Sequence, residues 1–431
     1  MLDVIGSSLF SLLWKVFAST PEKLEPLELG AWHNTAIFNL PTTKADPMLE
    51  KIVQDYLQTL KQQGLNSDRQ GVWLQSDWLE LASNQGKNPL AAASLTKIAT
   101  TLAALGKWGA EHQFVTKIFY TGEIKEGILQ GDLIVLGEGD PFFVWEEAIA
   151  LGNALNKLGL RQIKGNLLIN HQFYMNYESD SLQAGKLLKQ GLDPNLWSWE
   201  VKQIFKSLPI TTPRPQLVIS GEVQLPKLAP TKPQLLLIHK SLTLSDILKQ
   251  MNIYSNNQMS QMLADEVGGS KAVARYAATV TGINPLEIQL INGSGLGVEN
   301  RVSPRAASQM LIAIDNLLKP HNLDVMDLFP VAGRDNVGTV EHRAIPAGTA
   351  VKTGTLNQVS ALAGVIPLDQ ERRIWFSLIN YGWQIQYFRK QQDLFLQRLA
   401  EHWQLEPQDF YAQEKTDIYL GDPERNVPPE N

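Results

Sequence analysis

Helical texture breaks off near Gly106 and, apart from one helix, does not return until Thr243, and this interruption constrains the fold more than any single residue does. Ala91–Leu105 is an Ala- and Leu-rich helical run. From Thr116 to about Pro233 short β-like runs take over: Lys117–Thr121, Leu133–Leu136, Gly165–Ile169 and Gln216–Ser220, with one clear helix near Glu146–Leu158. Prolines 209, 213, 215, 226, 230 and 233 crowd its far end, as in a connector. The pattern predicts a main domain over 45–118 and 236–405, split by an inserted module over 119–235.

The flanks carry their own signals. Leu49, Ile52, Val53, Tyr56, Leu57 and Leu60 have helical spacing behind Asp46-Pro47, a natural helix start. Gly71–Gln75 and Trp78–Ala82 read as a hairpin. Helices are predicted at Thr243–Met251, Asn256–Val267 and Pro304–Leu318, the last capped by Ser303. Val351–Thr355, Ser360–Ile366 and Arg373–Asn380 read as successive strands, and Phe388–Trp403 as a closing amphipathic helix. Residues 406–431 hold seven acids, two bases and four prolines, a composition that predicts a disordered acidic tail. Residues 1–44 form a lead in which Val4–Phe17 is mostly apolar. About ten residues separate Asp3 from Lys15, too few to span a bilayer. An export signal or anchor and an amphipathic surface helix both fit, so peripheral membrane association stays open.

Composition removes whole classes of chemistry. With no cysteine there are no thiol nucleophiles, thiolate metal sites or disulfides. The histidines show no i, i+4 pair, so no H-E-x-x-H metal site exists. A net charge of −6 argues against a nucleic-acid-binding face. Neither metal nor cofactor is expected. No G-x-S-x-G occurs, and Gly293-Ser294-Gly295 reads as a turn.

Three short motifs remain. Ser94-Leu95-Thr96-Lys97 places a hydroxyl and an amine one turn apart at a helix start. Burial and the positive end of the helix would depress the lysine pKa, letting an uncharged Lys97 take the Ser94 proton. The plainer account is a capping serine beside a solvated lysine. Ser255-Asn256-Asn257 lies in the break between two helical segments, where such residues are ordinary caps. Alternatively Ser255 relays a proton and Asn257 holds a substrate amide. Lys352-Thr353-Gly354-Thr355 lies on a strand: Lys352, Thr353 and Thr355 could grip a carboxylate, and Gly354 admits a close backbone approach. An edge-strand lysine that discourages aggregation is the bland alternative.

The order S-x-x-K, S-x-N, K-T-G is that of penicillin-binding proteins and serine β-lactamases. Asn88–Leu105, Leu129–Phe142, Ile291–Leu311 and Phe329–Gly364 further resemble the class C low-molecular-mass penicillin-binding proteins, the D-alanyl-D-alanine carboxypeptidase/endopeptidase family. The resemblance implies an α+β, β-lactamase-like transpeptidase domain: an antiparallel sheet flanked by helices, a helical subdomain and an inserted mixed α/β domain. It implies a periplasmic or cell-envelope enzyme acting on peptidoglycan stem peptides, with β-lactams as covalent inhibitors. Ser94 would attack the D-Ala-D-Ala carbonyl, Lys97 act as base and Ser255 protonate the departing D-alanine. Asn257, Lys352, Thr353, Gly354 and Thr355 would bind substrate, and the N–H groups of Ser94 and Thr355 would form the oxyanion hole. The short stretch from Lys97 to Ser255 predicts one inserted domain with any nested one reduced, and Asn292 stands where the family often has Asp.

Two rivals follow. A serine β-lactamase would need a deacylating glutamate, and Glu287 comes near with one residue too many, in a segment that reads as a strand. A silent peptidoglycan-binding relative would not need Ser94, Lys97, Asn257 and Lys352 intact.

Overall fold

The computed structural model describes residues 46–76, 79–226, 232–369, 372–405 and 418–429; the expectations for residues 1–44 lie outside them. Asp46 accepts from the Met48 N–H and opens α1 (Pro47–Lys61). The hairpin follows as β1 (Gln70–Ser76) and β2 (Leu79–Asn84), and after a turn at Ala93–Leu95 comes α2 (Thr96–Trp108). The helix starts later than the Ala-rich run suggests, because Ala93 takes a left-handed φ of 48°. It also runs past Gly106. That glycine is where α2 meets Tyr276, whose hydroxyl would lie 1.8 Å from an added Cβ, whereas Gly109 at φ 78° ends the helix.

The middle of the chain holds β3 (Gln113–Tyr120), β4 (Leu133–Leu136), α3 (Trp145–Lys157), β5 (Leu167–Ile169), α4 (Ser181–Leu192), α5 (Trp199–Ser207), β6 (Val223–Gln224) and β7 (Gln234–Thr243). Helices α4 and α5 escape the β-like reading of this stretch. Their buried faces are built from sparse residues such as Ala184, Leu188, Leu192 and Val201. The second half adds α6 (Leu244–Tyr254), α7 (Asn257–Val267), α8 (Ser270–Thr281), α9 (Pro304–Leu318), α10 (Val325–Leu328), β8 (Ala350–Leu356), β9 (Val359–Pro367), β10 (Arg373–Tyr381), α11 (Ile385–His402) and β11 (Asn426–Val427).

Five antiparallel strands in the order β8-β9-β10-β1-β2 form the main sheet. The period of two divides its side chains between two cores. Val351, Leu362 and Phe376 pack under α1 and α11 with Leu49, Val53, Phe388 and Phe395. Ala350, Ala361, Ala363 and Trp375 face a larger core with Leu102, Met251, Leu263 and Met310. Helix α2 is buried all round from Thr96 to Leu105, as a central helix must be. The sequence therefore carries Lys97 into the interior. A mixed sheet, β6-β5-β4-β3-β7-β11, carries a third core with Ile118, Val135, Ile149 and Leu188.

The tail departs from expectation. Residues 418–429 lie in place, with β11 antiparallel to β7 at Ile238 and His239. Acidic composition signalled disorder, but a buried ionic contact holds this segment: Arg425 donates to Glu147, whose Oε1 also accepts from the Gly421 N–H at 2.9 Å. Burial pushes the Glu147 carboxyl up to about 7, against the pull of Arg425. Arg425→Ala leaves that carboxyl without its cation and is expected to cost about 2–4 kcal/mol in denaturant unfolding.

Candidate active site

The turn before α2, the α6–α7 junction and the edge strand β8 converge at the predicted residues. Lys97 Nζ lies 3.1 Å from Ser94 Oγ, 2.7 Å from Asn257 Oδ1 and 2.7 Å from the Ser294 carbonyl. Two of those neighbours only accept, so they take two N–H groups. The third is a hydroxyl that can donate. An uncharged amine, with two N–H groups and one lone pair, satisfies all three. Burial acts in the same direction, lowering the Lys97 pKa from 10.5 to about 7.

Lys352 is fully buried and donates to Ser255 Oγ at 3.0 Å and to the Thr353 carbonyl at 3.0 Å. It is thus no exposed edge lysine. Burial first, and then repulsion from Lys97 whenever that amine carries a proton, hold its proton affinity well below the ordinary lysine value. Ser255 ends α6 in the left-handed conformation, φ 52°, which turns its hydroxyl to Lys352. Asn256 caps α7 through the Met259 N–H, leaving Asn257, the first helical residue, to face Lys97.

Strand β8 lies at the sheet edge. Val351 turns its N–H outward to the Pro330 carbonyl at 2.9 Å. The two-residue alternation of a ladder turns the Thr353 and Thr355 backbone the same way. Gly354 passes so close to the Ser94 turn that an added Cβ would stand 3.0 Å from Ala92 O and 3.1 Å from Ser94 N. Gly354→Ala must therefore displace backbone atoms by tenths of an ångström, and we expect it to slow covalent labelling by a fluorescent penicillin about 10- to 100-fold.

Sequence reasoning missed three contributors. The Ser294 carbonyl, a second support for Lys97, sits in a loop organised by Asn292 Oδ1, which accepts from the Gly295 N–H at 2.8 Å and from Ser294 Oγ at 3.2 Å. Gly295, at φ 85°, lies against the Ala93 carbonyl, which an added Cβ would meet at 1.9 Å. The Gly-Ser-Gly turn was a visible signal for this loop, though not for its purpose. Arg389 on α11 donates to Thr355 Oγ1 at 2.9 Å, and nothing local in the sequence marks it. Glu287 is not a strand residue but ends a short 3-10 turn, where it accepts from Ser303 Oγ at 2.6 Å and from Arg305. No group of three or more His, Asp or Glu side chains among the described residues is placed to hold a metal ion.

Residues 52–184 and 215–401 match the model of the D-Ala-D-Ala carboxypeptidase 3 (S13) family. The D-alanyl-D-alanine carboxypeptidase DacB of Haemophilus influenzae is 23% identical over 397 residues, covering 69% of this chain and 81% of that protein. The D-alanyl-D-alanine carboxypeptidase of Actinomadura sp. R39 is 31% identical over 183 residues, 38% of this chain and 33% of that one. Among solved structures, the peptidoglycan endopeptidase Bd3459 of Bdellovibrio bacteriovorus superposes with a TM-score of 0.69 at 20% identity, covering 83% of this chain and 98% of that one. Penicillin-binding protein 4 of H. influenzae gives 0.61 at 20% identity, covering 81% and 98%.

Proposed function

The chain belongs to the D-Ala-D-Ala carboxypeptidase 3 (S13) family, and on that footing we propose that it cleaves the D-Ala-D-Ala end of peptidoglycan stem peptides through an acyl-enzyme on Ser94. The observation that carries the reading is the Ser94–Lys97 contact at 3.1 Å, with the remaining Lys97 hydrogens taken by two pure acceptors. Lys97 removes the Ser94 proton as the oxygen attacks the penultimate D-Ala carbonyl. Charge on that carbonyl oxygen meets the N–H groups of Ser94 and Thr355, which Gly354 allows to approach each other. Lys352 holds Ser255 Oγ in place; that hydroxyl protonates the departing amine and is restored by the proton Lys97 took from Ser94, which leaves Lys97 uncharged again. Water, activated in turn by Lys97, releases the acyl group.

The inverse problem, a β-lactamase, needs a free carboxylate for deacylation, and Glu287 is engaged by Ser303 and Arg305. β-Lactams are accordingly read as inhibitors that stay on Ser94. No helix among the described residues is long and apolar enough to cross a membrane. A location in the cell envelope, beside the peptidoglycan, is the one this reading requires. The test is direct: the purified protein should form a long-lived adduct with fluorescent penicillin and release D-alanine from a stem pentapeptide. Rapid steady turnover of nitrocefin would favour the lactamase instead. Digestion of cross-linked muropeptides, read by mass spectrometry, decides whether D,D-endopeptidase cleavage accompanies it.

A further inference from the structure

A peptide ending in D-Ala-D-Ala carries a carboxylate one residue beyond the bond that breaks, and that charge needs a partner near Thr353 and Thr355. Lys352 is the expected one from sequence, but its hydrogen bonds run inward, to Ser255 Oγ and the Thr353 carbonyl. Arg343 is also committed. Its guanidinium is bidentate on Asp393, at 2.7 and 2.9 Å, and reaches Gln392 Oε1 at 3.2 Å.

Arg389 is different. Its guanidinium reaches Thr355 Oγ1 at 2.9 Å, and among the described residues no carboxylate lies within 4.0 Å of it. It borders a cavity of about 660 Å³ whose wall also includes Thr353, Thr355, His342, Arg343 and Lys390, with Asp393 the one acid, already engaged by Arg343. The position is built from below. Phe388, before it, is fully buried; Gln392, one turn on, donates to the Ser360 carbonyl at 3.1 Å, and Arg343 donates to the Arg389 carbonyl at 3.4 Å. A half-buried cation is therefore fixed beside a second cation, with a hydroxyl as its neighbour and open space in front. Its own proton affinity is lowered by burial and then by Arg343, against the opposing pull of Asp393, and an incoming anion would add to that pull.

We propose that Arg389 is the residue that binds the substrate's terminal carboxylate, acting with the hydroxyls of Thr353 and Thr355 at the mouth of this cavity. The inference rests on the acyl-transfer reading above and adds to it the group that selects a free carboxyl end. Arginine suits the task, because its planar fork matches a carboxylate and its charge persists when partly desolvated.

The test uses the full-length protein, Arg389→Gln and Arg389→Lys, with two blocked tripeptides ending in D-Ala-D-Ala, one a free acid and the other its C-terminal carboxamide. For Arg389→Gln, kcat/KM on the acid is expected to fall about 10- to 100-fold, chiefly through KM. The carboxamide rate should change less than about threefold, and Arg389→Lys should lie between. An equal fall on both peptides would assign Arg389 a purely structural role, and no fall on the acid would send the carboxylate elsewhere; either overturns the inference but leaves the acyl-transfer reading intact. An unsubstituted enzyme that cleaves neither peptide and takes no penicillin label would overturn that reading, and this inference with it.

Discussion

Ser94→Ala should form no penicilloyl adduct at all, and its release of D-alanine should fall at least about ten-thousand-fold, with the thermal midpoint near that of the parent. The size of the effect follows from the lack of a substitute. The chain has no cysteine, and the nearby hydroxyl of Ser255 is bonded to Lys352 rather than to Lys97. Removing Oγ deletes one of three neighbours of Lys97 and leaves Asn257 and the Ser294 carbonyl in place, so the fold should persist. Intact-mass spectrometry after incubation with penicillin checks both halves of the statement. A covalent adduct on the variant would mean that another residue attacks.

Lys97→Arg should be nearly as damaging, with acylation down about a thousand-fold or more, because a guanidinium cannot shed its proton at accessible pH. The same logic fixes the pH profile of the parent enzyme. Lys97 must be uncharged to accept the Ser94 proton, and burial brings its pKa to about 7. The rate constant for acylation should therefore decline about tenfold per pH unit below that value and level off above it. Stability carries the opposite face of this arrangement. The unfolded lysine titrates near 10.5, so between about 7 and 10.5 the unfolded chain binds more protons here than the folded one. The contribution of this group to stability rises with pH across that window, and the full penalty of burial is felt below it. Stopped-flow acylation between pH 5 and 9 tests the first claim, and denaturant midpoints over the alkaline range test the second.

Much of this was readable in advance, for reasons that differ by element. The helix at Pro47–Lys61, the hairpin, α9 with its Ser303 cap and the three strands β8–β10 follow from periodicity and capping chemistry, which are local. The three motifs were legible because their spacing and order encode a shared geometry. What stayed hidden was non-local. Ala93 adopts a conformation its type disfavours, and its carbonyl lies against Gly295, some two hundred positions on. Arg389 gains meaning only once α11 lies across β8. The acidic tail looked unstructured because its one consequential arginine finds a carboxylate in the middle of the chain.

Most sheets post a charged or bulky sentry along an unpaired rim, and Lys352 occupies the place where one would stand. It has instead been withdrawn into the interior, where it donates to the Thr353 carbonyl, and the outward-turned N–H groups of Thr353 and Thr355 run beside the Ser94 turn. On the acyl-transfer reading, a liability in other proteins becomes a berth for a short extended guest, paired along its main chain and anchored at its carboxylate. Inhibitor design can use that berth without a reactive ring: a strand mimic closed by a single carboxylate should compete with β-lactams reversibly, and would not depend on the hydroxyl that the drugs consume.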